Sequence, residues 1–324
     1  MGKDESGMGF NTISYNNDLR MNRPVLTNMP NDMDKVAIVV AKGTILNGTK
    51  KPGQIGGDST AQLLRKARYD DTVKSVVLYV DSPGGSAFAS EIIRQEVENL
   101  QAVGKPVVAV MSTYAASGGY WISAGADKII AAPSTITGSI GIFGMFLTFE
   151  KTLDYLGVHT DGVGTTEFAG MGITKTLNPK LAAIMQRGIE HGYDQFISLV
   201  ADKREMSKSQ VDEIAQGRVW IGETALELGL VDEIGYLEDG IKAAADLSNL
   251  ETYDTQYIKK TLSKSEIFWK EILQNASVTF QGAFKVEKSS TILSLVKEIT
   301  ADLEAVARLN DPKGVYAYCL PCEI

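Results

Sequence analysis

Ser117 is the residue whose neighbours most clearly predict chemistry. It lies in the segment Tyr114–Tyr120 (YAASGGY), between two small residues and two glycines, directly after the apolar run Val107–Met111. This order predicts a strand, a tight turn and a helix, so the hydroxyl would lie at a helix N-terminus, where free backbone amides favour negative charge. The segment matches the G-x-S-x-G turn of hydrolases only in part. A helix N-cap serine beside packing glycines is the structural alternative.

A second glycine pair follows another predicted strand. Val76–Val80 is apolar and rich in β-branched residues, and residues 81–85 (DSPGG) come directly after it, before a helical pattern. Glycines leave backbone amides open to a cleft, and such amides can stabilise the oxyanion of acyl transfer. The alternative is an ordinary strand-to-helix loop capped by Ser86. Because two such loops are spaced one strand–helix–strand unit apart, we interpret them together as a catalytic site.

The composition is that of a soluble globular enzyme. The chain has 324 residues, of which 44% are hydrophobic, and a net charge of −8. An acidic chain without a basic stripe does not favour nucleic acid as a partner. No run of about 18 apolar residues predicts a membrane helix. The polar, glycine-rich first residues do not form a signal peptide and are typical of an added tag.

The elements that would position the site alternate along the chain. Residues 1–34 are polar and predict a linker or extended arm, residues 35–247 the core domain, and residues 248–324 a helical C-terminal extension. Within the core, apolar runs alternate with helical patterns, which predicts βα units with largely parallel strands. Cys319 and Cys322 predict an exposed thiol pair or a small local disulfide rather than a zinc site. No metal or cofactor is expected.

Three motifs in the same order resemble those of the signal peptide peptidase A family of serine proteases, peptidase family S49. They are residues 81–85 (DSPGG), 115–120 (AASGGY) and 137–141 (TGSIG). The resemblance runs from about Lys35 to the C-terminus and is strongest to the C-terminal half of the long, two-half bacterial form. It implies an α/β fold of the crotonase/Clp-protease-like type, with stacked ββα units, and a serine–lysine dyad.

The resemblance also implies roles for individual residues. Ser117 would be the nucleophile, the backbone amides of Gly85 and Gly118 would form the oxyanion hole, and Ser139 would position the lysine base. The position that best matches the family lysine holds Ala169 instead. We therefore expect the base to come from the N-terminal half of the long protein, of which this chain would be a fragment.

Other bases within the chain are weaker candidates. Lys175 lies in the same loop as the unmatched lysine position, six residues further on, and could substitute for it. The two histidines, His159 and His191, are interpreted as solvated or structural. A triad of Ser117, His159 and Asp161 is not expected, because residues two apart on a strand project side by side rather than one behind the other.

By resemblance, the substrates are cleaved signal peptides and other apolar peptides at the periplasmic side of the bacterial cytoplasmic membrane. The expected partners are the N-terminal half and further copies of the chain. Candidate cleft residues, each of which could equally be core, are Met111, Ile142, Phe143, Met145 and Phe146. Two other classes remain open: an acyl-CoA hydratase or isomerase of the same fold, and a non-catalytic assembly half.

Overall fold

Two sheets position the predicted site. The computed structural model describes residues 33–51, 53–146, 148–166, 168, 172–259 and 309–322. The strands are β1 Lys35–Lys42, β2 Ile45–Leu46, β3 Ile55–Gly56, β4 Val73–Ser82, β5 Gly84–Ser86, β6 Val107–Ala116, β7 Lys128–Ala131, β8 Ile136–Gly138, β9 Phe143–Gly144, β10 Val219–Ile221, β11 Glu233–Ile234, β12 Asp254–Tyr257 and β13 Val315–Tyr318. The helices are α1 Gly57–Tyr69, α2 Ala87–Ala102, α3 Gly118–Ser123, α4 Glu150–Tyr155, α5 Pro179–Lys203, α6 Lys208–Ile214, α7 Gly222–Glu227 and α8 Leu237–Leu247, and residues Leu320–Cys322 form a 3₁₀ turn.

Sheet 1 is the larger sheet and is almost entirely parallel. Its strand order is β10–β8–β6–β4–β1–β12, and β7 pairs with both β6 and β11. Every pairing is parallel except that of β8 with β10. The predicted α/β class and the predicted alternation of strands and helices are confirmed.

The middle of each central strand is a run of buried apolar residues, because both faces of sheet 1 are covered. On one face, Val39 of β1 packs in a buried cluster with Ile93 of α2. On the other face, Ile38 packs in a second cluster with Ala244 of α8. Burial on both faces fixes the ends of β4 and β6, and both glycine loops follow those ends.

Sheet 2 is small and lies where β4 ends. Its order is β3–β2–β5–β13–β9. The strand β2 is parallel to β3 and β5, whereas β13 is antiparallel to both of its neighbours, β5 and β9. The glycine strand β5 is thus paired on both edges, and one partner comes from the C-terminal end of the described chain.

The predicted helical extension over residues 248–324 is wrong where the structure describes it. Residues 254–257 form β12, which extends sheet 1 beside β1, and residues 315–318 form β13 in sheet 2. Residue 247 is therefore not a domain boundary among the described residues. Threonine, valine and tyrosine favour strands when a partner strand is available, and the partners lie far away in sequence. Residues 260–308 and most of the predicted arm, residues 1–32, lie outside the described residues.

Membrane insertion has no helical candidate in the part of the chain that is described. None of the helices there combines the length and apolar character that a bilayer crossing requires.

Candidate active site

Ser117 is the single residue between β6 and α3, and its backbone is strained. Its φ is +55°, a conformation that costs a non-glycine residue on the order of 1–3 kcal/mol. The Ser117 amide donates to the carbonyl of Gly138 at 2.8 Å, and the Ser117 carbonyl accepts from the amide of Trp121 at 2.8 Å. Sheet 1 on one side and α3 on the other therefore hold the turn in place.

The Ser117 hydroxyl is buried and has no hydrogen-bond partner among the described residues. Ser117 is at the N-cap position of α3, but its side chain makes no capping hydrogen bond. An unpaired buried polar group costs about 1–3 kcal/mol, and native structures keep few of them. Within the described part of the chain, the hydrogen-bonding capacity of this hydroxyl is therefore unused.

The two glycine loops converge, as the sequence predicts. Gly84 and Gly85 have φ values of +100° and +152°. A Cβ atom on Gly84 would lie 2.7 Å from the amide nitrogen of Gly118 and 3.0 Å from the carbonyl oxygen of Ala116. The hydroxyl of Ser82 accepts a hydrogen bond from the Gly84 amide at 3.1 Å and shapes the turn. Only glycine allows this close approach of backbone to backbone.

Ser139 lies next to the same turn. The strand β8 pairs with the end of β6, so that Gly138 is opposite Ala116 and its carbonyl accepts from Ser117. Ser139 follows with a φ of +49°, is 5% exposed, and donates its amide to the carbonyl of Arg218 at 2.6 Å. Ser117 and Ser139, both with positive φ, thus directly follow the ends of two neighbouring parallel strands.

Neither the predicted alternative lysine nor the histidines bond to Ser117. The amide of Lys175 donates to Gly172 at 3.4 Å, in the loop before α5. His159 is exposed, and its Nδ1 lies 3.2 Å from a carboxylate oxygen of Asp154. His191 is on an exposed position of α5. Ala169, the position that matches the family lysine, lies outside the described residues.

Helix α3 is fixed by two aromatic side chains of the serine motif. The buried hydroxyl of Tyr120 donates to the carbonyl of Leu230 at 2.9 Å, and burial raises the pKa of this phenol. The indole Nε1 of Trp121 donates to Glu91 at 2.9 Å, and Arg94 donates to the same carboxylate. Burial alone would raise the pKa of Glu91, but the hydrogen bonds from Arg94 and Trp121 help to lower it. The helix behind the nucleophile cannot shift without breaking these bonds.

The predicted cleft residues differ in their burial. Met111 is fully buried in the main core. Phe143 lies in β9, and its ring centroid is 5.8 Å from that of Tyr316 in β13. Phe146 is partly exposed.

Sequence reasoning missed β13, which lies directly against the glycine loops. Ala317 is opposite Gly85, and a Cβ atom on Gly84 would lie 2.2 Å from the Ala317 carbonyl oxygen. The strand is preceded by the buried Asp311. The valine and the two tyrosines of residues 315–318 (VYAY) are residue types that favour strands, and they are the signal that could have indicated one. No neighbouring residue identifies the partner strand.

The two cysteines are bonded and buried rather than exposed. Cys319 and Cys322 form a disulfide directly after β13, and they are 1% and 7% exposed. Both pack with Ala116, the residue before the nucleophile. Of the two predicted states, the local disulfide is the observed one, but in the interior beside the site rather than at the surface.

Comparisons with known proteins agree with these features. The family model described as "Peptidase family S49" matches residues 99–251. Protease 4 of Salmonella typhi is 43% identical over 89% of this chain and 46% of its own length, and Protease 4 of Haemophilus influenzae is 46% identical over 91% and 48%. The chain thus spans about half the length of these curated relatives.

A shorter relative is matched over most of its length. The putative signal peptide peptidase SppA of Enterococcus faecium is 32% identical over 79% of this chain and 71% of its own length. The crotonase/Clp-protease-like fold that the resemblance implies agrees with the α/β architecture described above. The chain belongs to peptidase family S49, the signal peptide peptidase A family.

Proposed function

We propose that this chain is the nucleophile-bearing half of a serine peptidase. The observation that carries the proposal is the hydroxyl of Ser117, which is buried and has no hydrogen-bond partner in the described part of the chain. It lies on a strained strand-to-helix turn beside Gly84 and Gly118. A serine hydroxyl is a poor nucleophile at neutral pH and needs a base within hydrogen-bond reach. When the lysine of a serine–lysine dyad is missing, the serine oxygen lacks its hydrogen-bond partner, and Ser117 is in this state among the described residues.

The proposed reaction uses these positions. The Ser117 Oγ attacks the carbonyl carbon of the scissile peptide bond while its proton passes to a neutral lysine amine. The amides of Gly85 and Gly118 stabilise the resulting oxyanion. The protonated lysine then gives its proton to the leaving amine, which yields an acyl-enzyme on Ser117. Water, deprotonated by the same lysine, releases the acid product.

The lysine comes from the N-terminal half of the long protein. A lysine acts as a base only when its pKa is depressed, and burial beside hydroxyl groups provides that environment. Ser139 ends the neighbouring strand and holds the incoming amine. The partners of the chain are accordingly this N-terminal half and further copies of the same assembly.

The substrates are cleaved signal peptides and other apolar peptides at the periplasmic side of the cytoplasmic membrane. The printed name of the Enterococcus faecium relative, a putative signal peptide peptidase, supports this substrate class. The oxyanion hole and the small residues of the loops suit an extended backbone rather than a bulky cofactor.

The test is labelling by a fluorophosphonate, which reacts with activated serines, followed by mass spectrometry. We expect labelling of Ser117 only when the N-terminal half is present, and none in the Ser117→Ala variant. Labelling of the chain alone that Lys175→Met removes would instead place the base within this chain. If neither the chain nor its complex is labelled, the peptidase proposal fails, and the chain is a non-catalytic assembly half or an enzyme of the acyl-CoA class.

A further inference from the structure

The strand β13 occupies the position of an extended peptide beside the nucleophile. It runs antiparallel between β5 and β9, with Tyr316 opposite both Ser86 and Phe143, and Ala317 opposite Gly85. A peptide that adds a strand to an exposed sheet edge binds in this way, through backbone hydrogen bonds and pockets for alternate side chains.

The backbone of β13 contacts both glycine loops. The carbonyl oxygen of Ala317 would lie 2.2 Å from a Cβ atom on Gly84 and 2.9 Å from one on Gly118. Ala317 itself is fully buried. Because protein interiors are close-packed, a much larger side chain at this position should displace the strand. Under the proposed function, a substrate carbonyl must approach these same loops. Substrate and β13 therefore compete for the same position beside the buried Ser117.

The segment is attached at both ends. Before β13, the carboxylate of Asp311 accepts hydrogen bonds from the hydroxyl of Ser86 at 2.5 Å and from the amide of Phe88 at 3.1 Å. After β13, the amide of Cys319 donates to the carbonyl of Pro83 at 2.8 Å, and the disulfide to Cys322 packs beside the nucleophile turn.

We propose that residues 313–322 are a tethered occupant of the peptide groove and that the Cys319–Cys322 disulfide stabilises their bound form. This proposal rests on the proposed function, because it assigns the groove to peptide substrates. The oxidised segment shields Ser117. Reduction weakens the shield because it frees the turn that follows β13 to adopt other conformations.

The redox step is a thiol–disulfide exchange with a dithiol. Once the segment opens and exposes the Cys319–Cys322 disulfide, one thiolate of the dithiol attacks one of its two sulfurs. The S–S bond breaks, the other cysteine leaves as a thiolate, and a mixed disulfide with the dithiol remains. The second thiolate then displaces the protein thiolate, so that two electrons pass to the cysteine pair and the dithiol becomes a disulfide. Two protons from the dithiol complete the two cysteine thiols.

The test measures binding of a fluorescent peptide with the sequence of residues 313–322, in its oxidised form, by fluorescence anisotropy. A tethered segment acts as a competitor at an effective concentration of about 1 mM. We therefore expect the chain ending at Pro312 to bind the peptide at least about tenfold more tightly than the full chain does. Ala317→Trp in the full chain should produce the same gain, because the indole cannot enter beside Gly84.

Leu320→Ser is the matched control, because Leu320 belongs to the same segment and is 65% exposed. It should leave peptide binding at the level of the full chain. A peptide carrying tryptophan at the position of Ala317 should not bind the shortened chain.

The role of the disulfide is tested by reduction. For this test the probe peptide carries serine in place of both cysteines, so that the reductant acts on the chain alone. Dithiothreitol should then increase the affinity of the full chain for the peptide by at least about fivefold. The Cys319→Ser/Cys322→Ser variant should show this higher affinity already and should not respond to the reductant. An affinity independent of the redox state would overturn the proposed role of the disulfide.

Equal peptide binding by the full and shortened chains would overturn the proposal as a whole. So would loss of the circular dichroism signal in both the shortened chain and Ala317→Trp, since β13 would then be a permanent strand of the fold. This experiment measures peptide binding and does not depend on catalysis. Failure of the chain to react with a fluorophosphonate would therefore contradict the proposed function but would leave the binding result unchanged.

Discussion

Asp311 accepts a 2.5 Å hydrogen bond from the hydroxyl of Ser86, which lies 225 residues earlier in the chain. The bond joins the segment before β13 to the start of α2, where Asp311 also accepts from the amide of Phe88. A carboxylate at a helix N-terminus satisfies free amides and interacts favourably with the helix dipole. The C-terminal segment is thus part of the cap of a core helix.

Asp311→Ala should lower the free energy of unfolding by about 2 kcal/mol, because it leaves the hydroxyl of Ser86 and the amide of Phe88 without their acceptor. Urea unfolding followed by circular dichroism measures the change. Asp58→Ala is the matched control, since Asp58 is also in the first turn of a helix but is exposed. A similar loss in both variants would contradict the special role of Asp311.

Ser117→Ala should leave the free energy of unfolding unchanged or raise it by up to about 1 kcal/mol, because the hydroxyl that it removes bonds to none of the described residues. Ser123→Ala is the matched comparison in the same helix. Its buried hydroxyl donates to the carbonyl of Gly119 at 2.8 Å, so its loss should cost about 1 kcal/mol. Thermal and urea unfolding of both variants measure these changes. A clear loss of stability in Ser117→Ala would mean that the hydroxyl has a partner.

Gly85→Ala should lower the free energy of unfolding by more than about 3 kcal/mol and abolish fluorophosphonate labelling. The reason is that a Cβ atom there would lie 1.9 Å from the carbonyl oxygen of Ile45, at a φ of +152°. Gly104→Ala has a positive φ of +78° but meets nothing within 4 Å, and should cost only about 1 kcal/mol. Comparable losses at both positions would show that backbone conformation, rather than close packing, sets the cost at Gly85.

The stability contribution of Glu91 should depend on pH. Its pKa in the folded chain is lowered from the ordinary value of 4.5, because hydrogen bonds from Arg94, Trp121 and Gln95 together outweigh the opposing effect of burial. The unfolded chain therefore binds more protons between the two pKa values, and the stabilisation is present above pH 4.5 and lost as the pH falls through the folded pKa. The difference in free energy of unfolding between the native chain and Glu91→Gln should be about 1 kcal/mol near pH 6 and should shrink towards pH 3. A difference that is constant with pH would contradict this assignment.

The sequence predicts most of the parallel core because its signals are local. The β-branched runs around Val76 and Val107 become β4 and β6, and Pro179 begins the long helix α5. The convergence of the DSPGG and AASGGY motifs follows from two adjacent parallel strands whose carboxyl ends meet at one edge of a sheet.

What the sequence does not predict depends on contacts between distant segments. The strand β13 pairs with β5, more than 200 residues away, and its four residues carry no information about that partner. The positive φ of Ser117 and Ser139 is likewise imposed by the surrounding sheet, since serine has no preference for it. The same holds for the buried position of the cysteine pair.

The positive φ values of Ser117 and Ser139 mean that neither serine motif can keep its shape when removed from the sheet. A peptide copied from either segment would relax to ordinary dihedral angles, and so would a graft into a loop that lacks the β6–β8 pairing. Engineers who wish to transplant this nucleophile must therefore move both strand ends together, as one unit.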